Sequence, residues 1–203
     1  SFWLLYGTSQ HHTQRHLTTR ITGMNEAQRN ECPVHPLVVH RVWSMPNRYT
    51  FKMNVAKRIL ASHGVGTGWV DPFAGYNSPA EHTNDMDATA PTTKHMEAVD
   101  FLETFAAGSV DGVLLDPPYS LHQVTVSYGG RGAKRVIALT PVYDHAARIC
   151  RIGGKVISWG WNTNGIGKCR GFELREVYVI AHGGHHNDTL VTVEVKMHNA
   201  EVS

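Results

Sequence analysis

The chain runs a strongly apolar segment directly into an acid, two prolines and an aromatic residue, in the stretch DGVLLDPPYS over residues 111–120. Val113, Leu114 and Leu115 predict a strand that is buried on both faces of a sheet. The two prolines that follow fix two φ angles and remove two backbone donors, so this strand must end in a rigid turn. Because α/β folds bind ligands at the carboxyl ends of parallel strands, the turn is a candidate site.

Strands and helices alternate along most of the chain. Strands are predicted in GWVD, HTND, DGVLLD, KVISWGW, FELREVYVIAH and TLVTVEVK, and helices in FKMNVAKRILASH, EAVDFLETFAAGS and PVYDHAARIC. The last two strands are separated only by HGGHHND, which is short enough to join them as an antiparallel hairpin. The pattern therefore predicts a three-layer α/β fold whose mostly parallel sheet carries one antiparallel strand.

The length and composition favour one globular domain. The 203 residues are enough for one core of ordinary size. Residues 1–43 are weakly patterned, and we expect an N-terminal arm or irregular layer there, followed by one domain over residues 44–203. No apolar run approaches the roughly 20 residues of a membrane span, so no membrane partner is expected. Three widely spaced cysteines, Cys32, Cys150 and Cys169, predict a reducing compartment, and we expect a cytoplasmic protein.

Six segments resemble motifs of the amino-group DNA methyltransferases that use S-adenosylmethionine, and most closely the small phage and prophage enzymes of adenine-N6 type. They are SMPNRYTFKMN (44–54), VDPFAGYNS (70–78), TNDMD (83–87), VDGVLLDPPYS (110–120), GGKVISWGWNTNGIGKCRGFE (153–173) and HGGHHNDT (182–189). A cofactor motif that precedes the DPPY motif without a large insertion is the order of that subgroup. The resemblance implies a Rossmann-like methyltransferase fold over residues 44–203, with a seven-stranded sheet and a C-terminal antiparallel hairpin, in a bacterial or phage-infected cell.

The same resemblance implies an S-adenosylmethionine site built from three segments. The first is the turn around the methionine part of the cofactor, formed by Asp71, Pro72, Phe73, Ala74 and Gly75. Asp85 ends the second strand and would accept hydrogen bonds from the ribose hydroxyls, with Asp87 as the competing choice. After the third strand come an acid for the adenine amino group and apolar residues for the adenine ring, namely Glu97, Ala98 and Phe101, with Asp100 as an alternative acid.

The catalytic residues implied by the resemblance are Asp116, Pro117, Pro118 and Tyr119. An exocyclic amine is a poor nucleophile because its lone pair is conjugated into the ring. The Asp116 carboxylate and the Pro117 carbonyl would each accept one amine hydrogen and so direct the lone pair toward the methyl group. Tyr119 would stack on the flipped base, which contributes about 1 to 3 kcal/mol per base.

Two loops predicted at the carboxyl ends of central strands carry basic residues beside glycines, which suits contacts to phosphate groups. The partner expected from the resemblance is DNA, double-stranded with a flipped base. One of the two tryptophans of KVISWGW is expected in the core and the other in the base pocket. The candidate substrate-binding residues are Ser120, Arg131, Lys134, Arg135, Trp161, Lys168 and Arg170.

Other activities remain open on the same scaffold. They are cytosine-N4 methylation of DNA, adenine-N6 or guanine-N2 methylation of RNA, and a catalytically silent subunit that only binds nucleic acid. The intact motif of residues 116–119 argues against the silent subunit. No metal is expected, because Cys32, His35, His182, His185 and His186 do not match the spacing of a structural zinc site.

Two connections of the chain are unusually short. Six residues separate Gly75 from His82, and nine separate Asp87 from Glu97, where larger methyltransferases have whole helices. We expect turns in both places, and therefore a sheet face with little helical cover. Because a parallel sheet buries both faces, the helix over residues 51–62, the N-terminal arm or a second subunit must cover this one. We expect a homodimer for that reason.

Overall fold

The computed structural model describes residues 35–118, 138–184 and 186–200. Most of the predicted N-terminal arm, over residues 1–34, lies outside the described residues. So do five of the residues predicted to act on the substrate, namely Tyr119, Ser120, Arg131, Lys134 and Arg135. Their roles stay predictions.

Seven strands form a single sheet. They are β1 (Val38–Trp43), β2 (Trp69–Asp71), β3 (His82–Thr83), β4 (Val110–Leu115), β5 (Cys150–Gly160), β6 (Phe172–Ala181) and β7 (Thr189–Lys196). Their order across the sheet is β1-β6-β7-β5-β4-β2-β3. β7 is antiparallel to both of its neighbours, and every other pair of neighbours is parallel. The predicted Rossmann-like fold, with a seven-stranded mostly parallel sheet and a C-terminal antiparallel hairpin, is confirmed.

The first strand corrects the boundary predicted for the N-terminal arm. Residues 38–43, which the sequence pattern assigns to the arm, form β1 and pair in parallel with β6, from Val38 opposite Glu176 to Trp43 opposite Ala181. The pattern misleads because β1 is an edge strand, and exposed Val39 and Trp43 alternate with only partly buried residues. Residues 36–203 together form one compact unit.

At the opposite edge, beside β3, the sheet lacks one predicted strand. The strand expected before Glu97 is reduced to one parallel bridge between Asn84 and Lys94. The sheet still has seven strands, because β1 forms at the other edge while this predicted strand is reduced to the bridge.

Within the described residues, three helices cover the two faces of the sheet. They are α1 (Asn54–Ser62), α2 (Ala98–Glu103) and α3 (Leu139–Ile149), and single 3-10 turns lie at Thr50–Lys52 and Lys168–Arg170. α2 and α3 contact each other and bury Phe101, Leu102, Val142 and Ala146 on one face. α1 packs on the other face, where its apolar residues join Trp69, Leu114, Ile157 and Trp159 in one cluster.

The two short connections are turns, as predicted from their length. α1 covers the sheet face beside them, so a second subunit is not needed to bury this part of the core. The homodimer stays a prediction, although the reason for expecting it is weaker. Within the described ranges, no helix is both long enough and apolar enough to cross a membrane.

The strand order places a crevice at one point of the sheet. The chain passes from β2 outward to β3 and then returns to the other side of β2 as β4. The connections after β2 and β4 therefore leave the sheet in opposite directions, which opens a space above the carboxyl ends of these strands. Ligands of doubly wound α/β folds bind at such a switch point.

Candidate functional site

A cavity of about 440 Å³ opens above the carboxyl ends of β2 and β4. This volume lies within the range of about 300 to 1,000 Å³ that is typical of pockets for small ligands. Three segments predicted from the sequence, the turn after β2, the acids after β3 and the prolines after β4, line the cavity together with the segment before α1. The lining residues are Asn47, Arg48, Tyr49, Thr50, Phe51, Phe73, Ala74, Gly75, Tyr76, Asn77, Asp85, Asp87, Ala90, Asp116, Pro117 and Pro118.

Asp71 shapes the turn after β2 from inside the protein. Its carboxylate accepts hydrogen bonds from the backbone N–H of Phe73 at 2.9 Å and from the hydroxyl of Ser78 at 2.6 Å. Complete burial raises the pKa of Asp71 to about 7, against the effect of these two donors. Asp71 and Pro72 do not line the cavity, so Asp71 supports the site rather than touching a ligand.

Gly75 brings the backbone to the edge of the cavity. Its φ of 52° lies in the left-handed region, which favours glycine, and a Cβ at this position would meet open space. Its N–H donates a hydrogen bond of 3.0 Å to Asp85, and the N–H of Asp87 donates another of 2.8 Å to the second oxygen of Asp85. The turn after β2 and the turn after β3 are therefore joined by one carboxylate.

The structure brings both candidate ribose acceptors into the cavity wall. Asp85 is 6% exposed, and burial raises its pKa. Asp87 is less buried, and hydrogen bonds from the hydroxyl and the N–H of Thr89 lower its pKa. Tyr76, which the sequence did not single out, donates its phenolic hydrogen toward Asp87 at 3.3 Å. Each carboxylate has about four lone-pair positions, so each retains acceptor sites for a ligand.

Asn84 is a supporting residue that the sequence reasoning missed. Its fully buried side-chain amide donates to the carbonyls of Pro72 and Met96, and its side-chain oxygen accepts the N–H of Met96. These bonds tie the turn after β2 to the segment that replaces the missing strand. The only signal for Asn84 in the sequence is its place directly before Asp85.

The third predicted cofactor segment is not at the cavity. Glu97 is exposed, whereas Ala98 and Phe101 lie in the core on the α2 face, where Phe101 packs edge to face on Phe105 with ring centroids 5.3 Å apart. None of the three predicted residues lines the cavity. Because the preceding strand is reduced to one bridge, α2 begins at once and turns its apolar face toward α3. The described geometry therefore does not support contacts from these residues to an adenine ring.

A second, smaller cavity of about 130 Å³ lies on the other side of Asp116. Its aromatic wall comes from Trp159, which is buried in the core, and from Trp161, which is 53% exposed. The expected division of the two tryptophans between core and site thus has a structural basis, although both of them line this cavity. The lining residues are Pro46, Asn47, Thr50, Met53, Asp116, Pro117, Trp159, Gly160, Trp161, His182 and Thr189.

Asp116 and Pro117 line both cavities, as do Asn47 and Thr50. Burial raises the pKa of Asp116 to about 6, and the hydroxyl of Thr50 acts in the opposite direction. The carboxylate keeps partial exposure toward the cavities and is mostly ionised at neutral pH. Two ligands, one in each cavity, would therefore both contact the Asp116 carboxylate, which is an anionic hydrogen-bond acceptor.

The segment 44–50, which we call the boundary loop, belongs to one of the six motif-like segments, but its sequence does not indicate a role. The N–H of Ser44 donates to the carbonyl of Ala181 at 3.1 Å. His182 donates from Nδ1 to the carbonyl of Ser44 at 2.7 Å, and its Nε2 lies 2.8 Å from the hydroxyl of Thr189. These bonds tie the boundary loop to the carboxyl end of β6 and so hold Thr50 beside Asp116.

Lys168 and Arg170 do not lie at the predicted edge of the sheet. β6 runs in the same direction as β5, so the connection between them must return to the amino end of the sheet, where these residues directly precede β6. Arg170 is also engaged within the protein, since its guanidinium donates to Asp144 at 2.7 Å and to the carbonyl of Ile166 at 3.0 Å. The predicted place of these two residues at the carboxyl edge is corrected, and their contact with the substrate stays a prediction.

The described part of the chain contains no group of three or more side chains placed to hold a metal ion. His182, the buried histidine of the HGGHHNDT motif, instead uses both ring nitrogens in the hydrogen bonds that hold the boundary loop.

Comparison with known proteins finds similarity at the level of structure alone. No protein-family model and no curated protein matches the chain. Among solved structures, TrmN from Thermus thermophilus aligns with a TM-score of 0.47 and 20% identity, covering 71% of this chain and 49% of TrmN. The chain thus spans about half the length of that protein. The fold of the present chain is therefore assigned from the strand order of its own sheet.

A second solved structure is similar to a comparable degree. It is the 1,6-didemethyltoxoflavin-N1-methyltransferase of Burkholderia thailandensis, with bound 1,6-didemethyltoxoflavin and S-adenosylhomocysteine. It aligns with a TM-score of 0.49 and 14% identity, covering 71% of this chain and 78% of that one.

Proposed function

We propose that the protein transfers a methyl group from S-adenosylmethionine to the N6 amine of adenine in DNA. The observation that carries the proposal is the position of Asp116 and Pro117 on the boundary between a larger and a smaller cavity. A group-transfer enzyme needs its donor and its acceptor to meet at one point, and these two residues mark such a point.

The larger cavity fits the donor by size and by charge. S-adenosylmethionine carries a sulfonium and an ammonium group, and three carboxylates, those of Asp85, Asp87 and Asp116, line the wall. Asp85 and Asp87 stand where doubly wound folds place an acceptor for ribose hydroxyls. Gly75 lets the backbone approach the ligand without a side chain in the way. When bound, S-adenosylmethionine supplies the electrophilic methyl group.

The smaller cavity offers an aromatic wall for a base. Trp161, which is 53% exposed, offers an aromatic surface of the kind that binds bases by stacking, and Trp159 closes the cavity from the core side. A base in this cavity would present its exocyclic amine to Asp116 and Pro117 at the boundary. A base inside a duplex cannot reach such a cavity unless it is flipped out of the stack.

Asp116 and Pro117 would then activate the amine. The Asp116 carboxylate and the Pro117 carbonyl each accept one N–H hydrogen, which concentrates the nitrogen lone pair on the side of the larger cavity. Bound S-adenosylmethionine would supply its methyl group to this nitrogen and would leave as the neutral thioether. The nitrogen is left with one proton in excess, which passes to the Asp116 carboxylate or to water.

The proposal is tested by incubating the protein with isotopically labelled S-adenosylmethionine and either DNA or RNA, followed by mass spectrometry of the nucleosides. We expect label in N6-methyladenine from DNA, and no label with the Asp116→Ala variant. Label in N4-methylcytosine, or in RNA alone, would overturn the choice of substrate. Absence of labelled nucleosides from both polymers, with S-adenosylmethionine bound, would overturn the activity.

A further inference from the structure

The charges of the chain are distributed unevenly around the candidate site. Between Glu31 and Asp71 the sequence has no carboxylate side chain, but it has five cations, Arg41, Arg48, Lys52, Lys57 and Arg58. This segment includes the boundary loop, the 3-10 turn at Thr50–Lys52 and the whole of α1. The net charge of the whole chain is only +2, but this segment is strongly basic, and it lies next to cavities lined by acids.

The amphipathic pattern of α1 determines where its cations point. Its apolar residues, Val55, Ala56, Ile59 and Leu60, are buried against the sheet. Lys57 and Arg58 lie on the opposite side of the helix and are exposed. In the part of the chain that the structure describes, no hydrogen bond or ion pair holds the side chain of Lys57 or Arg58, and both side chains are open to a ligand in solution.

The exposed cations continue from α1 to the mouth of the site. Lys52 is exposed and lies between Thr50 and Met53, which both line the smaller cavity. Arg48 and Lys52 approach the ring of Tyr49, at 5.1 and 4.7 Å from its centroid. Arg58 is five residues after Met53, or about 7.5 Å along the chain at the helical rise. We call Arg48, Lys52, Lys57 and Arg58 the basic strip.

We propose that the basic strip binds the phosphate backbone of the DNA strand that carries the target base, so that α1 is a DNA-docking element of the protein. The proposal rests on the proposed function, because it takes the smaller cavity as the base pocket. A base in that cavity places its own phosphates beside the boundary loop, and the next phosphates along the strand meet the first turns of α1. Exposed Lys and Arg side chains without competing acids suit such contacts.

The charge pattern favours a polyanion over a second copy of the chain on this surface. A two-fold interface through α1 would bring the same surface of both copies together. Lys57 and Arg58 would then face a second set of cations, and like charges across an interface are unfavourable. The basic strip also lies beside the cavities, whereas Lys168 and Arg170 lie at the far end of the sheet.

The test compares two double variants of the full chain that lose the same charge. Lys57→Gln with Arg58→Gln removes two cations of the basic strip. Lys94→Gln with Arg151→Gln removes two exposed cations that line neither cavity. Binding to a fluorescent duplex is measured by anisotropy over a series of salt concentrations, and S-adenosylmethionine binding is measured by calorimetry. An RNA duplex of the same sequence and light scattering of each protein complete the experiment.

The variant of the basic strip should lower the slope of log affinity against log salt by about 1.8, because each phosphate contact contributes about 0.9. The control variant should keep the slope of the parent protein, and both should bind S-adenosylmethionine as the parent does. A parent-like slope in the variant of the basic strip would overturn the proposal. So would tighter binding of RNA than of DNA, or a parent dimer that this variant dissociates. If the slope falls as expected but S-adenosylmethionine does not bind, the docking surface stands and the proposed function fails.

Discussion

The hydroxyl of Thr50 acts on the carboxylate of Asp116 and lowers its pKa, and both residues line both cavities. The two residues are far apart in the sequence and meet because the boundary loop is tied to the end of β6 through His182. The carboxylate has about four lone-pair positions, so it keeps acceptor sites for a substrate amine beside this hydroxyl. The hydroxyl also stabilises the ionised form, which is the form that can accept an amine hydrogen.

The first prediction concerns the effect of this hydroxyl on Asp116. Thr50→Val keeps the shape of the side chain and removes the hydroxyl, so the pKa of Asp116, about 6 in the parent, should rise. The acid limb of the profile of kcat against pH should therefore move to higher pH, with a larger loss of kcat at pH 6 than at pH 8. Methyl transfer measured across this range provides the test.

The matched control is Thr50→Ser, which restores a hydroxyl and should bring the acid limb back toward the parent profile. Loss of activity that is equal at every pH would indicate a structural role for Thr50. It would remove Thr50 from the group that positions Asp116.

The second prediction separates the two acids of the larger cavity. Asp85→Ala should weaken S-adenosylmethionine binding by about 1.5 to 3 kcal/mol, because it removes a charged hydrogen-bond acceptor from a buried wall. Asp87→Ala should cost less, since Asp87 is more exposed and binds Thr89 within its own turn. Calorimetry of both variants gives the comparison, and the reverse order of affinities would assign the ribose to Asp87.

The predicted residues that the structure brings to the larger cavity are those whose placement depends on local sequence, and their roles stay predictions. Phe73, Ala74, Gly75 and Asp85 follow the ends of short strands, and any parallel sheet brings such turns to one edge. Asp116 is fixed in the same way by the strand before it and the prolines after it. These positions could be assigned because strand, turn and acid are adjacent in the chain.

The residues that the sequence missed or misplaced depend on tertiary structure. Thr50 and His182 reach the site through a strand, β1, whose exposed pattern does not distinguish it from an irregular arm. Phe101 lies in the core, and not at the predicted cofactor site, because the strand before α2 is reduced to one bridge. Arg170 lies at the amino end of the sheet because β6 runs parallel to β5. The chain between these strands must therefore return from the carboxyl end of the sheet to its amino end. None of these outcomes is encoded in a short window of sequence.

The third prediction concerns stability and pH. The pKa of Asp71 is raised to about 7 in the folded protein, whereas an unfolded aspartate titrates near 3.9. Between these values the unfolded chain binds fewer protons at this residue, so its contribution to stability is present at low pH and is lost as pH rises toward 7. The loss is at most about 1.4 kcal/mol per pH unit.

Asp71→Asn removes this titration and retains a side-chain oxygen for the N–H of Phe73. The difference in unfolding free energy between variant and parent should therefore shift in favour of the variant as pH rises from 4 to 7. Urea unfolding at several pH values measures it, and a constant difference over that range would show that Asp71 does not carry the raised pKa.

The last prediction tests the anchoring of the boundary loop. His182→Ala removes the hydrogen bond to the carbonyl of Ser44 and the contact to Thr189, and it leaves a buried carbonyl without its donor. Thr50 should then be held less firmly beside Asp116, so kcat for methyl transfer should fall more than the affinity for S-adenosylmethionine. The matched control is His186→Ala, because His186 belongs to the same motif but is exposed and lines neither cavity. Initial rates with saturating S-adenosylmethionine, and its affinity by calorimetry, are measured for both variants. Equal kcat in the two variants would show that the boundary loop keeps its position without His182, and that the link from β6 to Asp116 has no role in the reaction.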